Sequence, residues 1–159
     1  MKLIKPSTEI LFQELDKPLP NGSMQEELVT RVYKQVEVAG RTCYKSEDKI
    51  TDDSCQEFVQ MLRKRGHYAM LEHGTVYLQF EAHLGADFPN KYWLNKYSQV
   101  VTIGGYAYVT TNLRVIFENN WDADLEYICA CTEHHEKRIS VRFICDRGVS
   151  HKQFVPLAA

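Results

Sequence analysis

The spacing of apolar residues changes along this chain, and that change constrains the fold class more than any other feature. Leu28, Val29, Val32 and Val36 recur at helical spacing, and Cys55, Phe58, Met61 and Leu62 do so again. From Thr75 to Glu81 the period shortens to two, with Val76, Leu78 and Phe80 on one face. The same alternation returns between Lys137 and Cys145, where Ile139, Val141 and Phe143 alternate with Arg138, Ser140 and Arg142. The chain thus carries both helical and strand periods.

Local signals set the expected boundaries. Glu9 to Leu15 reads as a short strand, and Lys17 to Gly22 breaks regular structure. Ser23-Met24-Gln25-Glu26 fits a capping box, and Gly40 is the expected stop of the helix that follows. Thr51 or Asp53 opens a second helix; Lys64 and Arg65 complement its dipole, and Gly66 ends it. His67 to Gly74 reads as a compact turn or a single helical turn. Phe88-Pro89 to Tyr97 suits a helix with proline at its first position. Gln99 to Val109 reads as two strands about Gly104-Gly105, while Thr110 to Asn119 fits strand or helix. Asp122 is the expected cap of a helix over Ala123 to Glu133, and Asp146 of one over Arg147 to Val155. Without a repeat or a dividing linker, residues 1–159 are expected to form one domain.

Charge and cysteine usage narrow the function classes. The sum of 19 basic and 21 acidic residues is −2, which argues against a general nucleic-acid coat or a membrane-surface binder. A local basic pocket for one small anion remains compatible with it. No apolar run approaches the ~18 residues of a membrane span, and Met1 to Pro6 is too short in its apolar part for a secretory signal. Five cysteines, an odd number without framework spacing, fit reduced thiols in a cytoplasm.

Three segments could carry chemistry. His67 to His73 holds two histidines and Glu72, either a site wall that donates to phosphate or ring nitrogen, or a loop whose histidines satisfy carbonyls. Its histidines lie six apart, which is not the i, i+4 spacing of a helical zinc pair. Cys129, Cys131, His134 and His135 are suitable zinc ligands by type. Their spacing is not that of a finger, and a helix would turn the two thiols about 200° apart. Packed thiols and exposed histidines are the favoured reading. Arg138, Arg142, Arg147, His151 and Lys152 form either a phosphate receptor or a solvated face.

Three segments, taken in order, resemble the flavin-dependent thymidylate synthases, the ThyX family. Val38-Ala39-Gly40-Arg41-Thr42-Cys43-Tyr44 is similar to the family's Ala-Arg-x-Ser/Cys-aromatic segment. Arg65-Gly66-His67-Tyr68-Ala69-Met70-Leu71-Glu72-His73 is similar to its Gly-His-x-Ser/Thr-x-x-Glu-His signature. Arg142-Phe143-Ile144-Cys145-Asp146-Arg147-Gly148-Val149-Ser150-His151 resembles the strand-to-helix lead-in to its defining motif.

The resemblance implies a ThyX-like α+β fold, a mixed or antiparallel sheet packed with helices, with the chain covering the family's N-terminal half and an insertion at roughly 82–136. It implies a cytoplasmic homotetramer with flavin sites between subunits, and no DNA or membrane partner. The implied reaction is reductive methylation of dUMP to dTMP with methylenetetrahydrofolate, FAD and NADPH. By position, His67 faces FAD and Cys43 lies near it. Ala69 stands where the family has a hydroxyl residue, which removes one hydrogen bond. Gln153 matches a glutamine that contacts dUMP, and Glu72 and His73 brace the loop. The Arg-His-Arg motif would begin at about Pro156, but the residues there are Pro156-Leu157-Ala158-Ala159. The resemblance therefore implies a chain incomplete for catalysis. The alternative is a non-catalytic nucleotide- or flavin-binding or oligomer-assembly module.

Overall fold

Helix α1 runs from Met24 to Tyr44 and buries Leu28, Val32 and Val36, the stripe that its apolar spacing marks. The structure is a computed structural model that describes residues 5–11, 24–81 and 87–145. The chain divides into two compact units, residues 13–138 and residues 1–12 with 139–159. Ser23, the expected capping residue, lies outside the described residues.

In the larger unit α1 continues a full turn beyond Gly40, the expected stop. Gly40 serves a different purpose. A Cβ there would fall 2.6 Å from Cε1 of Phe58, so the missing side chain lets the two helices approach closely. Helix α2, Ser54–Lys64, buries Cys55, Phe58, Val59 and Leu62. Asp53 occupies its N-cap position without a side-chain hydrogen bond; instead the Thr51 amide donates to Ser54 Oγ at 2.8 Å. Gly66 ends the helix as expected, at φ +68°. A 3₁₀ helix over Tyr68–His73 follows and leads into strand β2, Thr75–Glu81.

Helix α3, Asp87–Trp93, is shorter than expected. Asn95 turns the chain by accepting from the Tyr97 amide at 2.9 Å and from Ser98 Oγ at 3.3 Å. Strands β3, Gln99–Ile103, and β4, Tyr106–Asn112, form the hairpin about Gly104-Gly105. Both glycines have positive φ, as a two-residue hairpin turn of this hand requires. The sheet is antiparallel in the order β2-β4-β3. The expected insertion, 82–136, thus supplies the middle strand. The ambiguous stretch 110–119 proves to be both, since β4 ends at Asn112 and α4, Leu113–Glu118, starts there. Asn112 caps α4 by accepting from the Val115 amide at 3.0 Å.

Val76, Leu78 and Phe80 of β2, with Ala107 and Val109 of β4, face a core shared with α1, α2, α4 and Leu71. The helix expected over 123–133 is absent. A 3₁₀ helix, Asp122–Tyr127, stops at Ile128, which is buried and bridges Leu78. The Cys129 amide donates to the Tyr77 carbonyl at 2.9 Å, so pairing with the edge of β2 extends this segment. Asp122 is held by Arg63 at 2.6 and 3.1 Å rather than capping a helix.

In the smaller unit β1, Ser7–Ile10, pairs antiparallel with β5, Val141–Ile144. The strand is shorter than the alternation over 137–145 predicts, and Ile139 and Phe143 are exposed. Residues 12–15 of the first expected strand and the helix expected over 147–155 lie outside the described residues.

Candidate functional site

The last turn of α1, the start of α2 and the 3₁₀ helix after Gly66 meet around the Phe58 ring. Glu37 is the anchor. Its carboxylate is buried, a costly position unless its oxygens are satisfied. Arg41 donates to Oε1 through Nε at 3.2 Å and through a terminal nitrogen at 3.1 Å, and Ser54 Oγ donates to Oε2 at 2.9 Å. The Arg41 guanidinium also lies 4.5 Å from the Phe58 ring centre, a cation–π distance. Glu37 and Arg41 are an i, i+4 pair that helical spacing alone could have signalled.

Tyr44, one turn beyond Gly40, packs edge-on against Phe58 with ring centres 6.3 Å apart. Its hydroxyl shares a hydrogen bond of 2.9 Å with Nδ1 of His67. A neutral His67 accepting there carries its proton on Nε2. Thus Tyr44, the neighbour of Cys43, is the residue that meets His67. The sequence reading missed this contact because it ended the helix at Gly40. Cys43, His67, Ala69 and His73 are all exposed. Gln153 lies outside the described residues.

Glu72 accepts from Arg114 of α4, which also donates to Glu118 at 2.8 Å. The hydrogen bonds from Glu118 and then Glu72 push the Arg114 pKa up. Glu72 therefore ties the 3₁₀ helix to α4, in keeping with its expected role as a brace. Gly74 completes that attachment. A Cβ on it would lie 2.7 Å from Val36 Cγ2, so the segment rests directly on α1.

The Cys129–His135 segment lies across the outer face of β2 and β4. His135 Nδ1 accepts from the Thr132 amide at 3.1 Å, and Nε2 bonds the Leu78 carbonyl at 3.1 Å. Both ring nitrogens are engaged, and burial pushes its pKa down, so the ring is a neutral structural brace. Burial first, then the neighbouring Cys131, raises the Cys129 thiol to about 12. No group of three or more metal-ligating side chains forms among the described residues. His135 is buried, not exposed as its sequence context suggested, while the His134 ring lies tilted against Tyr108 with centres 4.7 Å apart.

Of the basic set, the two described members make local contacts. Arg138 donates to the carbonyls of Thr111 at 3.4 Å and Tyr97 at 3.3 Å. In the smaller unit Arg142 pairs with Glu9 at 2.8 Å across the strands. Arg147, His151 and Lys152 lie outside the described residues.

One further group escaped the sequence reading. Tyr92 donates to the buried Asp124 at 2.6 Å, and Lys91 pairs with the same carboxylate. Burial, then the Asp124 hydrogen bond, raises the Tyr92 pKa. This contact joins α3 to the 3₁₀ helix at Asp122.

The chain has an open cleft of about 580 Å³ lined by Thr30, Tyr33, Cys55 and the acidic Glu26, Asp52 and Asp53. Those carboxylates disfavour a phosphate. A second cleft of about 450 Å³ lies by Gln79, Tyr106 and Tyr127. Neither includes Cys43, His67 or Ala69. For an anionic ligand the donor is the His67 ring, held by Tyr44, and Lys45 and Arg65, near them in the chain, are exposed cations. Among the described residues no helix is long and apolar enough to cross a membrane. The chain matches no family model, no curated protein and no solved structure.

Proposed function

We propose that the surface formed by the end of α1 and the Tyr68–His73 helix is a flavin-nucleotide site, in a chain of the flavin-dependent thymidylate synthase family with a ThyX-like fold. The 2.9 Å contact between Tyr44 and His67 carries this reading, because it brings together two of the three segments on which the resemblance rests.

In this reading His67 offers its Nε2 proton to an acceptor on the FAD ring system, and Tyr44 fixes the tautomer. Ala69 leaves a gap in the donor set, and Cys43 lines the approach. Lys45 and Arg65 attract the phosphates. FAD, when bound, supplies hydride chemistry to a reaction that takes its carbon from methylenetetrahydrofolate and its reducing equivalents from NADPH. Gln153 contacts dUMP. The assembly is a cytoplasmic homotetramer without a DNA partner. His67, Tyr44, Cys43, Lys45 and Arg65 are proposed to bind the flavin nucleotide.

Thermal melts with and without FAD test this. At a concentration 100 times Kd the ligand stabilises by about 2.7 kcal/mol, a readily measured shift. A melt unmoved by millimolar FAD would sink the proposal.

A further inference from the structure

We propose that β3 is a self-association edge, through which two copies of this chain pair antiparallel about a two-fold axis at Val101. This inference is independent of the flavin reading.

Strand β3 is an edge: among the described residues it pairs with β4 alone. Its exposed row of N–H and C=O groups is a template for another strand, and edges are commonly blunted by lysine, proline or a bulge. Within β3 this protection is missing, and the cations beside its start are Lys96, 4.8 Å from the Tyr97 ring centre, and Arg138, 3.3 Å from the Tyr97 carbonyl. From Tyr97 to Leu113 there is no Asp, Glu, Lys, Arg, His or Pro. Val101 is 44% exposed and Ile103 48%. The segment entering the strand adds Trp93 at 61%, Leu94 at 88% and Tyr97 at 57%. Helix α3 packs against β3, and Tyr97 lies two residues before the strand begins. A concentration of exposed apolar groups of this kind marks an interaction surface.

The charge pattern selects the occupant. A two-fold contact is isologous, so a charge near the axis meets the same charge on the other copy. A neutral strand avoids that repulsion, and it offers nothing to a charged peptide. Pairing about Val101 sets Val100 opposite Thr102 and Gln99 opposite Ile103. It also brings Tyr97 of one copy to Gly105 of the other. Nothing lies within 4 Å of the Cβ position of Gly105, which leaves space there for a phenol ring. The result is one continuous sheet in the order β2-β4-β3-β3-β4-β2.

Light scattering after gel filtration of the full chain, from about 1 to 100 µM, tests the proposal. The expected wild-type mass is twice 18.5 kDa or a higher even multiple. Val101→Lys and Ile103→Lys should each halve it, while Gln60→Lys, on the exposed side of α2, should leave it unchanged. A monomeric wild type overturns the proposal, and so does a mass that both β3 variants retain. Hydrogen exchange on the wild type gives a second reading that needs no variant. Protection of the β3 amides should rise with protein concentration, and protection that stays constant overturns the pairing.

Discussion

Replacing Gly74 by alanine should destabilise the protein, against the usual direction of such a change. Gly74 has φ −82° and ψ 87°, which alanine adopts without strain, so the effect is steric. The added carbon would sit 2.7 Å from Val36 Cγ2, 2.9 Å from Val32 Cγ1 and 3.3 Å from Leu113 Cβ. Carbon pairs rest at about 3.5–4.0 Å, so the valine methyls must retreat by roughly 0.6–1.3 Å. Both valines are buried, and a β-branched side chain in a helix holds one χ1 rotamer, so neither yields easily. Overpacking of this kind costs about 1–3 kcal/mol. In open space the same change would stabilise by about 0.4–1 kcal/mol through the unfolded chain. For a chain of this size the expected fall in Tm is roughly 2–12 °C. Urea and thermal melts of Gly74→Ala, Val36→Ala and the double variant provide the assay. The new methyl should enter the space that Val36→Ala vacates, so the double variant should lose about 1 kcal/mol less than the sum of the singles. An unchanged or raised Tm in Gly74→Ala, or strict additivity, refutes the close-approach argument.

Three further outcomes follow from the same contacts. His135 is held neutral, with its folded pKa below the unfolded value of 6.5, so the unfolded state binds more protons as pH falls below that value. Stability should therefore decline on acidification below about pH 6.5, and urea melts of His135→Gln should show a shallower decline. Tyr92→Phe removes the 2.6 Å bond to Asp124 while keeping the ring, and should cost about 1–3 kcal/mol in urea unfolding. An unchanged midpoint would mean that this bond does not join α3 to the chain around Asp122. Iodoacetamide at pH 8, followed by peptide mass mapping, should label exposed Cys43 first. Buried Cys55 should label only on unfolding, and half-buried Cys129, whose thiol burial pushes up, should label more slowly than Cys43; labelling of Cys55 as fast as Cys43 would contradict its burial.

Features encoded within one element were legible in the sequence. The apolar stripe of α2, the alternation in β2, the Gly104-Gly105 hairpin and the helix stop at Gly66 all need only local chemistry. What escaped depends on distant partners. Gly40 looks like a helix stop until Phe58 is packed against it, and ending α1 there hid the Tyr44–His67 contact. Cys129 to Glu133 suits a helix until β2 captures Ile128. The bond from Arg114 to Glu72 joins residues 42 apart, and that from Tyr92 to Asp124 joins residues 32 apart. No periodicity marks such pairs. Of the candidate site residues, Cys43, His67 and Ala69 are exposed. The cysteine–histidine cluster proved to be a strap over the sheet, because His135 directs both nitrogens to backbone groups.

His67 and Tyr44 together are proposed to present a flavin site. Isothermal titration of FAD into the wild type, His67→Ala and Tyr44→Phe tests it most directly. Saturable binding to the wild type is expected, with about tenfold weaker binding to His67→Ala, the loss of one well-aligned hydrogen bond of ~1.4 kcal/mol. Tyr44→Phe should fall between the two. Equal affinity in all three proteins, or no heat of binding in the wild type, would contradict it.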